Sequence, residues 1–416
     1  MNESNSQMQL QPKESILIVS AGRMQIPAIL TAKSLGLNVI ATDRNPDAEG
    51  FALCDEAVVI DSKDVESHVI FALEHGQRLN LRGAFAGSDV AVTVAAVTDA
   101  LGLPGIPVEV AQRSNNKSAM KECWLRDNIP TPFGAEVQSQ EEARQVLRHA
   151  GLPAIVKAVD NAASRGSMKI DSEDQLPLAL EQARAASRTG TAIVEQYVVG
   201  AEQSVETIVW QGRHYHVGMA DREFGFHPYH IETAHMDPSR LPSDVQRRIY
   251  EVVDAAADSL GIKFGPAKAD MILTREGPMI LEMPARLSGG FHSQYTTPLS
   301  TGQDPIRAVM EIAVGRRLDE SLLKPKCQRV AICAGIFPPK GRIAAIKGLE
   351  EAQAIPGVEQ VILTRQVGDV VTDYIDNGCR LCWVIGVGND AEHAQSVVEQ
   401  ARSTICFEME STGSSS

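Results

Sequence analysis

Residues 266–290 read PAKADMILTREGPMILEMPARLSGG. Two apolar runs, 266–273 and 279–282, are joined through Arg275, Glu276 and Gly277, the pattern of an antiparallel hairpin. Asp270 interrupts one arm and Glu282 the other. An unpaired carboxylate inside an apolar strand is costly to bury, so each acid needs a partner. Two carboxylates converging from neighbouring strands suit Mg²⁺, which takes a few carboxylates together with nucleotide phosphates. Arg286 follows, then Ser288, Gly289 and Gly290. An arginine beside a glycine-rich turn can neutralise an anionic intermediate. The run Ser288-Gly289-Gly290-Phe291-His292 is expected to open a helix whose N–H groups hold a substrate carboxylate.

Upstream the chain is built of further hairpins. Residues 205–210 and 214–220 pair across Gln211 and Gly212, and 154–159 and 169–171 flank a small-residue loop. A helix is expected at 175–187, a strand at 192–198 and a long amphipathic helix at 242–260. Hairpins imply an antiparallel α+β region. The N-terminal part differs. SILIVSA (15–21) ends at Gly22, an amphipathic stretch closes at Gly36, and NVIAT (38–42) ends on Asp43. Strand, turn, helix and strand make a parallel βαβ unit. The turn lacks G-x-G-x-x-G, so Gly22 and Asp43 read as a structural turn and a capping acid rather than a dinucleotide site. After a helix near 305–314, strands at 330–337, 358–364 and 381–387 and a helix at 390–405 form a small α+β lobe.

Composition narrows the class. The chain has 416 residues, enough for two to four domains at roughly 100–200 residues each. Its 39 Lys and Arg against 53 Asp and Glu give a net charge of −14, which opposes binding to nucleic acid or an anionic membrane. Hydrophobic residues at 44% suffice for real cores, and no apolar run is long enough to span a bilayer. The polar N-terminus lacks a signal-peptide pattern, so a cytoplasmic protein is expected. Seven scattered cysteines fit reduced thiols, and Cys379 with Cys382 fits ordinary core cysteines better than a metal pair.

Further stretches carry candidate chemistry. Lys157 precedes the loop Asn161-Ala162-Ala163-Ser164-Arg165-Gly166-Ser167. Small residues there let backbone N–H groups close around phosphate oxygens, and a plain flexible hairpin is the alternative. A polar-faced helix at 113–128 carries Lys117 and Lys121. Glu195-Gln196-Tyr197-Val198, followed by Gly200-Ala201-Glu202, ends a strand whose edge backbone could hold an adenine rim, although solvated glutamates also explain the acids. Residues 220–241 are long, polar and His-rich. They are expected to form a mobile lid, with Glu232 and His235 as contacts for an amine or its proton, unless they are a surface loop with incidental histidines.

In this order the pieces resemble the ATP-grasp superfamily of carboxylate–amine ligases, over nearly the whole chain. The branch most similar is that of the bacterial L-amino acid ligases. The resemblance implies an ATP-grasp fold of α/β and α+β parts. Residues 15–112 would be a Rossmann-like pre-ATP-grasp domain after a disordered lead (1–14). Residues 113–325 would be the ATP-grasp domain, divided near 195, and 326–406 a C-terminal α+β lobe before a disordered tail (407–416). It implies ATP and Mg²⁺, with Mn²⁺ as the alternative metal. Lys117, Lys157 and the loop residues Ser164, Arg165, Gly166 and Ser167 would contact phosphates. Glu195, Gln196, Tyr197 and Val198 would hold adenine and Glu202 the ribose. Asp270 and Glu282 would bind the metal. Arg286 would stabilise the acyl-phosphate, and beside it the residue readings above add Glu232, Ser288 and Gly289 as expected catalytic contacts. Pro284 stands where the family commonly has an Asn ligand. The expected reaction is amide formation between a small carboxylate and a small amine through an acyl-phosphate, in a homodimer without nucleic-acid or membrane partners. The alternatives are a carboxylase or phosphoribosylamine–glycine ligase on the same scaffold, or a sensor without turnover.

Overall fold

The computed structural model describes residues 13–410, which divide into two compact units. The first comprises residues up to 108 together with 306–318. Its strands β1 (Ser15–Val19), β2 (Asn38–Asp43), β3 (Glu56–Val59) and β4 (Leu81–Phe85) form a parallel sheet in the order β3-β2-β1-β4. Every residue of β1 is buried, as a parallel strand covered on both faces requires. Asp43 accepts from the Ala21 N–H at 2.9 Å and from Ser20 Oγ at 3.3 Å, the structural role expected of it. The boundary expected at 112 falls at 108, and residues 306–318 join this unit rather than the second. The helix Pro305–Ala313 ends against β4 at Gly83, where a Cβ would lie 2.2 Å from the Ala313 carbonyl oxygen. Only glycine lets those backbones approach so closely.

The second unit begins with strands β5 (Gly134–Val137), β6 (Ala154–Ala158), β7 (Met168–Ile170) and β8 (Ala192–Gln196), an antiparallel sheet in the order β5-β8-β6-β7. Helices Gln140–Ala150 and Leu176–Ala186 bury Ala143, Leu147, Leu176 and Leu180 on it. Next come β9 (Ala201–Trp210), β10 (Arg213–Gly225), β11 (Ile231–Asp237), β12 (Gly265–Leu273) and β13 (Pro278–Glu282). The C-terminal part adds β14 (Val330–Ile336), β15 (Gly341–Lys347), β16 (Val358–Leu363), β17 (Val370–Val371), β18 (Cys382–Gly388) and β19 (Cys406–Met409). The large sheet runs β13-β12-β9-β10-β11-β14-β18-β16, so the lobe expected from 326 onward is continuous with the ATP-grasp part. The seam is the pairing of Ala234–Asp237 with Ala334–Ala331, positions that neither run advertises alone.

Strands β17, β15 and β19 form a third sheet. Met409, Glu408 and Phe407 pair with Ile343, Ala345 and Ile346, so the first residues of the expected tail are a strand. Likewise the Glu14 carbonyl, in the expected lead, accepts from the Asn38 N–H at 2.9 Å. The remainder of both expected disordered ends, 1–12 and 411–416, lies outside the described residues. All seven cysteines are free. Among the described residues no helix is long and apolar enough to cross a membrane.

Candidate active site

The hairpin that opens the sequence argument folds as expected, and Asp270 sits directly opposite Glu282 across β12 and β13. Directly opposed residues of an antiparallel pair share a face, so both carboxylates project the same way. Each has a cationic partner. Lys268 and Arg222 both bind Asp270 Oδ1, and Lys117 Nζ stands 3.3 Å from Glu282 Oε1. Burial alone would raise the Asp270 carboxyl, but Arg222 and Lys268 outweigh it and hold it below its ordinary value. Among the described residues no three His, Cys, Asp or Glu side chains cluster as a metal site. Two opposed carboxylates are a donor set that Mg²⁺ accepts when phosphate oxygens and water complete its shell. Pro284 offers only its carbonyl, which already accepts from the Lys268 and Arg286 N–H groups at 3.2 and 2.9 Å. Arg286 donates Nη1 to the Leu287 carbonyl at 2.9 Å.

Both helical lysines face inward. The helix Lys117–Arg126 is capped by Asn116, whose side chain accepts from the Ala119 N–H at 2.9 Å. Lys117, Lys121 and Trp124, at helical spacing, are all buried. Lys121 and Lys157 close on the two oxygens of Glu195, at 2.8 and 2.7 Å. Burial would raise Glu195, yet the two ammonium groups hold it at about 2. The side chain expected to serve adenine is thus fully engaged by two lysines, and one of the expected phosphate contacts, Lys157, is its partner. Gln196 is exposed, Tyr197 and Val198 are half-buried, and they lead from β8 toward β9.

The small-residue loop is anchored rather than loose. Ser164 Oγ donates to the His230 carbonyl at 2.7 Å, and Arg165 Nε donates to Asn161 Oδ1 at 2.9 Å. Gly166 accepts from the Ala158 N–H at 3.2 Å, and the Ser167 N–H donates to Ser164 at 3.1 Å. Lys117 Nζ also donates to the Asn161 carbonyl, which ties the helix to the loop. Glu202, expected at the ribose, lies 2.6 Å from His230 Nε2, and the His230 ring stacks on Phe224.

The segment expected to be a mobile lid, 220–241, is instead the end of β10, a short turn and β11, inside the large sheet. Ile231 and Asp237 are fully buried, and Glu232 and His235 nearly so. Its buried polar residues have protein partners. Arg222 Nη2 donates to Glu232 Oε2 at 3.0 Å, and His235 Nδ1 lies 3.2 Å from Oε1. Burial would raise the Glu232 carboxyl, but Arg222 and His235 hold it well below the ordinary range, while burial pushes His235 down. Without nucleotide, hydrogen exchange should find the β11 amides protected. If Ile231–Asp237 exchange as freely as a loop until ATP and substrate are added, the segment is a lid after all.

Ser288 also departs from expectation. Its N–H donates to buried Glu206 at 2.8 Å, which also accepts from Ser293 Oγ, and the amide is therefore committed inside the fold. Helical turns begin only at His292, after Phe291 in the left-handed region, leaving Gly289 and Gly290 half-buried between. Burial raises Glu206 above the ordinary carboxyl range. Arg222, Lys268, Glu206 and Arg380 were not assigned from sequence. Lys268 could have been found, since two residues before Asp270 on a strand is the same face. Arg222 and Glu206 are brought in by strand pairing across the sheet, and Arg380 by the turn before β18.

Comparison with known proteins bears on the fold. The ATP-grasp domain family matches residues 150–294, and L-amino acid ligase C-terminal domain 2 matches residues 335–410. The D-alanine–D-alanine ligase of Polynucleobacter asymbioticus is 27% identical over 315 residues, 69% of this chain and 91% of that protein. The crystal structure of L-amino acid ligase from Bacillus licheniformis superposes with a TM-score of 0.82 at 20% identity, covering 96% of this chain and 99% of its own. Phosphoribosylglycinamide synthetase from Anaerococcus prevotii follows at 0.75 and 20%, covering 96% and 100%. The chain carries an ATP-grasp domain and has the ATP-grasp fold, and its relatives support an ATP-dependent ligase forming C–N bonds.

Proposed function

We propose that the chain joins the carboxylate of one small molecule to the amine of another, at least one of them an amino acid, while ATP becomes ADP and phosphate. The observation that carries this reading is the opposition of Asp270 and Glu282 amid Lys117, Lys268 and Arg222. A carboxylate oxygen attacks the γ-phosphorus and the bond to ADP breaks. The amine then attacks the acyl carbon, phosphate leaves, and the amine's proton passes to the Glu232–His235 pair. Lys117, Lys157 and the loop 161–167 hold the phosphates, with adenine along the backbone at 197–198 and ribose at Glu202. Asp270 and Glu282 would hold Mg²⁺, which when bound would offset charge on the transferring phosphoryl group. Arg286 offsets charge on the acyl-phosphate, for which a guanidinium reaching two oxygens suits better than an ammonium. The sheet around Glu232 keeps water from the acyl-phosphate.

Incubating the protein with ATP, Mg²⁺ and pairs of amino acids tests the reading. Phosphate and ADP should appear only when a carboxylate and an amine are both supplied. AMP and pyrophosphate as products would overturn it, because they would mean attack at the α-phosphorus rather than the γ-phosphorus.

A further inference from the structure

The loop 161–167 keeps three N–H groups open. Those of Ala163, Ser164 and Gly166 make no hydrogen bond to the protein among the described residues. The carbonyls beside them are occupied. Ala162 accepts from the Arg165 N–H at 3.3 Å, Ser164 from the Ser167 N–H at 3.1 Å and Gly166 from the Ala158 N–H at 3.2 Å. Those three bonds are local. The Ala163 carbonyl differs, because its donor is the Asn377 N–H, at 2.9 Å, in the turn before β18.

The backbone at this point is strained. Ala163 and Ser164 both stand at φ 59°, in the left-handed region that residues with a Cβ avoid. The peptide joining them is the one whose carbonyl Asn377 binds. In a trans peptide the C=O and N–H point to opposite sides. With the carbonyl taken by Asn377, the Ser164 N–H faces the other way. A half-turn of this peptide would relieve Ser164 of its left-handed φ and would put a carbonyl where the N–H had been. Successive N–H groups in such a turn attract an anion, and a carbonyl there repels it.

Asn377 is itself firmly placed. Its Oδ1 accepts from the Glu232 N–H at 3.0 Å, and its carbonyl accepts from Arg380 Nε at 2.8 Å. The Arg380 guanidinium is braced in turn on the Trp383 ring, 4.2 Å from the centroid. Asp376 accepts from the Gly378 N–H at 2.6 Å and closes the turn.

We propose that Asn377 is a positioning residue of the nucleotide site, whose N–H holds the Ala163 carbonyl away and so keeps the Ser164 N–H turned toward the phosphates. The inference rests on the reading of the loop 161–167 as the phosphate contact. It makes the C-terminal part of the chain a component of that site without any contact of its own to the nucleotide.

The test uses the full chain, MgATP, and adenosine as a competitor without phosphates. Asn377→Ala removes the side-chain bond to β11 and keeps the N–H. Asn377→Pro removes both. Proline suits the position, because Asp376 is extended at φ −155° and ψ 173° and residue 377 opens a short 3₁₀ turn. MgATP should bind Asn377→Pro about tenfold more weakly than Asn377→Ala, the scale of one net hydrogen bond, with adenosine affinity alike in the two. Glycine takes a left-handed backbone without strain, so in an Ala163→Gly background the gap should shrink to about two- or threefold. Equal MgATP affinity in the two folded variants, an equal loss for adenosine, or a gap that Ala163→Gly leaves intact overturns the inference. Should Asn377→Pro fail to fold, hydrogen exchange on the wild type decides. Saturating MgATP should slow the Asn377 amide by about tenfold, because the coupling between loop and ligand is reciprocal. An Asn377 amide that exchanges equally with and without nucleotide overturns the inference. Wild-type protein that binds no MgATP would overturn the reading of the loop itself, and the inference with it.

Discussion

Glu282→Gln is expected to give a folded protein that releases phosphate on the order of 10³-fold more slowly, with ATP and both substrates saturating. A metal ion's hold on transition-state charge is worth several kcal/mol, and each 1.36 kcal/mol is a decade in rate. Gln keeps the volume and one oxygen but removes the charge that sits opposite Asp270. The fold should survive because Glu282 is partly open, its side chain 25% exposed, and its partner Lys117 also donates to the Asn161 carbonyl. Thermal unfolding and single-turnover phosphate release, measured on the same sample, separate the two effects. Near-normal turnover in a folded variant would show that the metal is held elsewhere.

Glu195→Gln should act on stability instead. The carboxylate is nearly fully buried and neutralises Lys121 and Lys157 together. Removing it leaves two buried ammonium groups short of a counter-charge, a loss of about 3–5 kcal/mol. No side chain crowds it from the neighbouring strand, because Gly134 stands there and a Cβ would lie 2.7 Å from Glu195 Cγ. The sign of the pH dependence follows from the carboxyl being held at about 2, below its ordinary value of 4.5. Its stabilisation is complete above the ordinary value and is lost as pH falls through 4.5 toward 2. Urea unfolding should therefore show wild type and variant far apart at neutral pH and converging in acid. Adding Lys121→Met to Glu195→Gln should recover part of the loss, since it removes one of the stranded charges. Equal stability at neutral pH would mean that this triad does not form in solution.

The hairpin at 266–282 was legible because its acids break an apolar alternation, a signal that survives without knowledge of neighbours. Lys117, Lys157 and the small-residue loop were legible for a similar reason, since each is a local departure from its surroundings. The stretch 220–241 misled on the same principle. Its density of charge and histidine reads as exposure, but Arg222 pairs with Glu232 across β10 and β11, and His235 closes on the other oxygen. Polarity in a sequence measures the need for partners, and water is only one way of supplying them.

By itself the sequence determined the two kinds of sheet, through βαβ order in one part and hairpins in the other. It also determined the acidic pair and the lysines that make a nucleotide site chemically reasonable. Only the tertiary structure decided that Ser288 serves Glu206, that Lys121 shares Glu195 with Lys157, and that Arg380 reaches Glu232 from far along the chain. The physical reason is range. Strand periodicity and turn chemistry act over a few residues and are written locally. Which buried charge meets which counter-charge depends on strand order, and the order β10-β11-β14-β18 that carries the C-terminal part to Glu232 is settled by packing and pairing across the whole sheet.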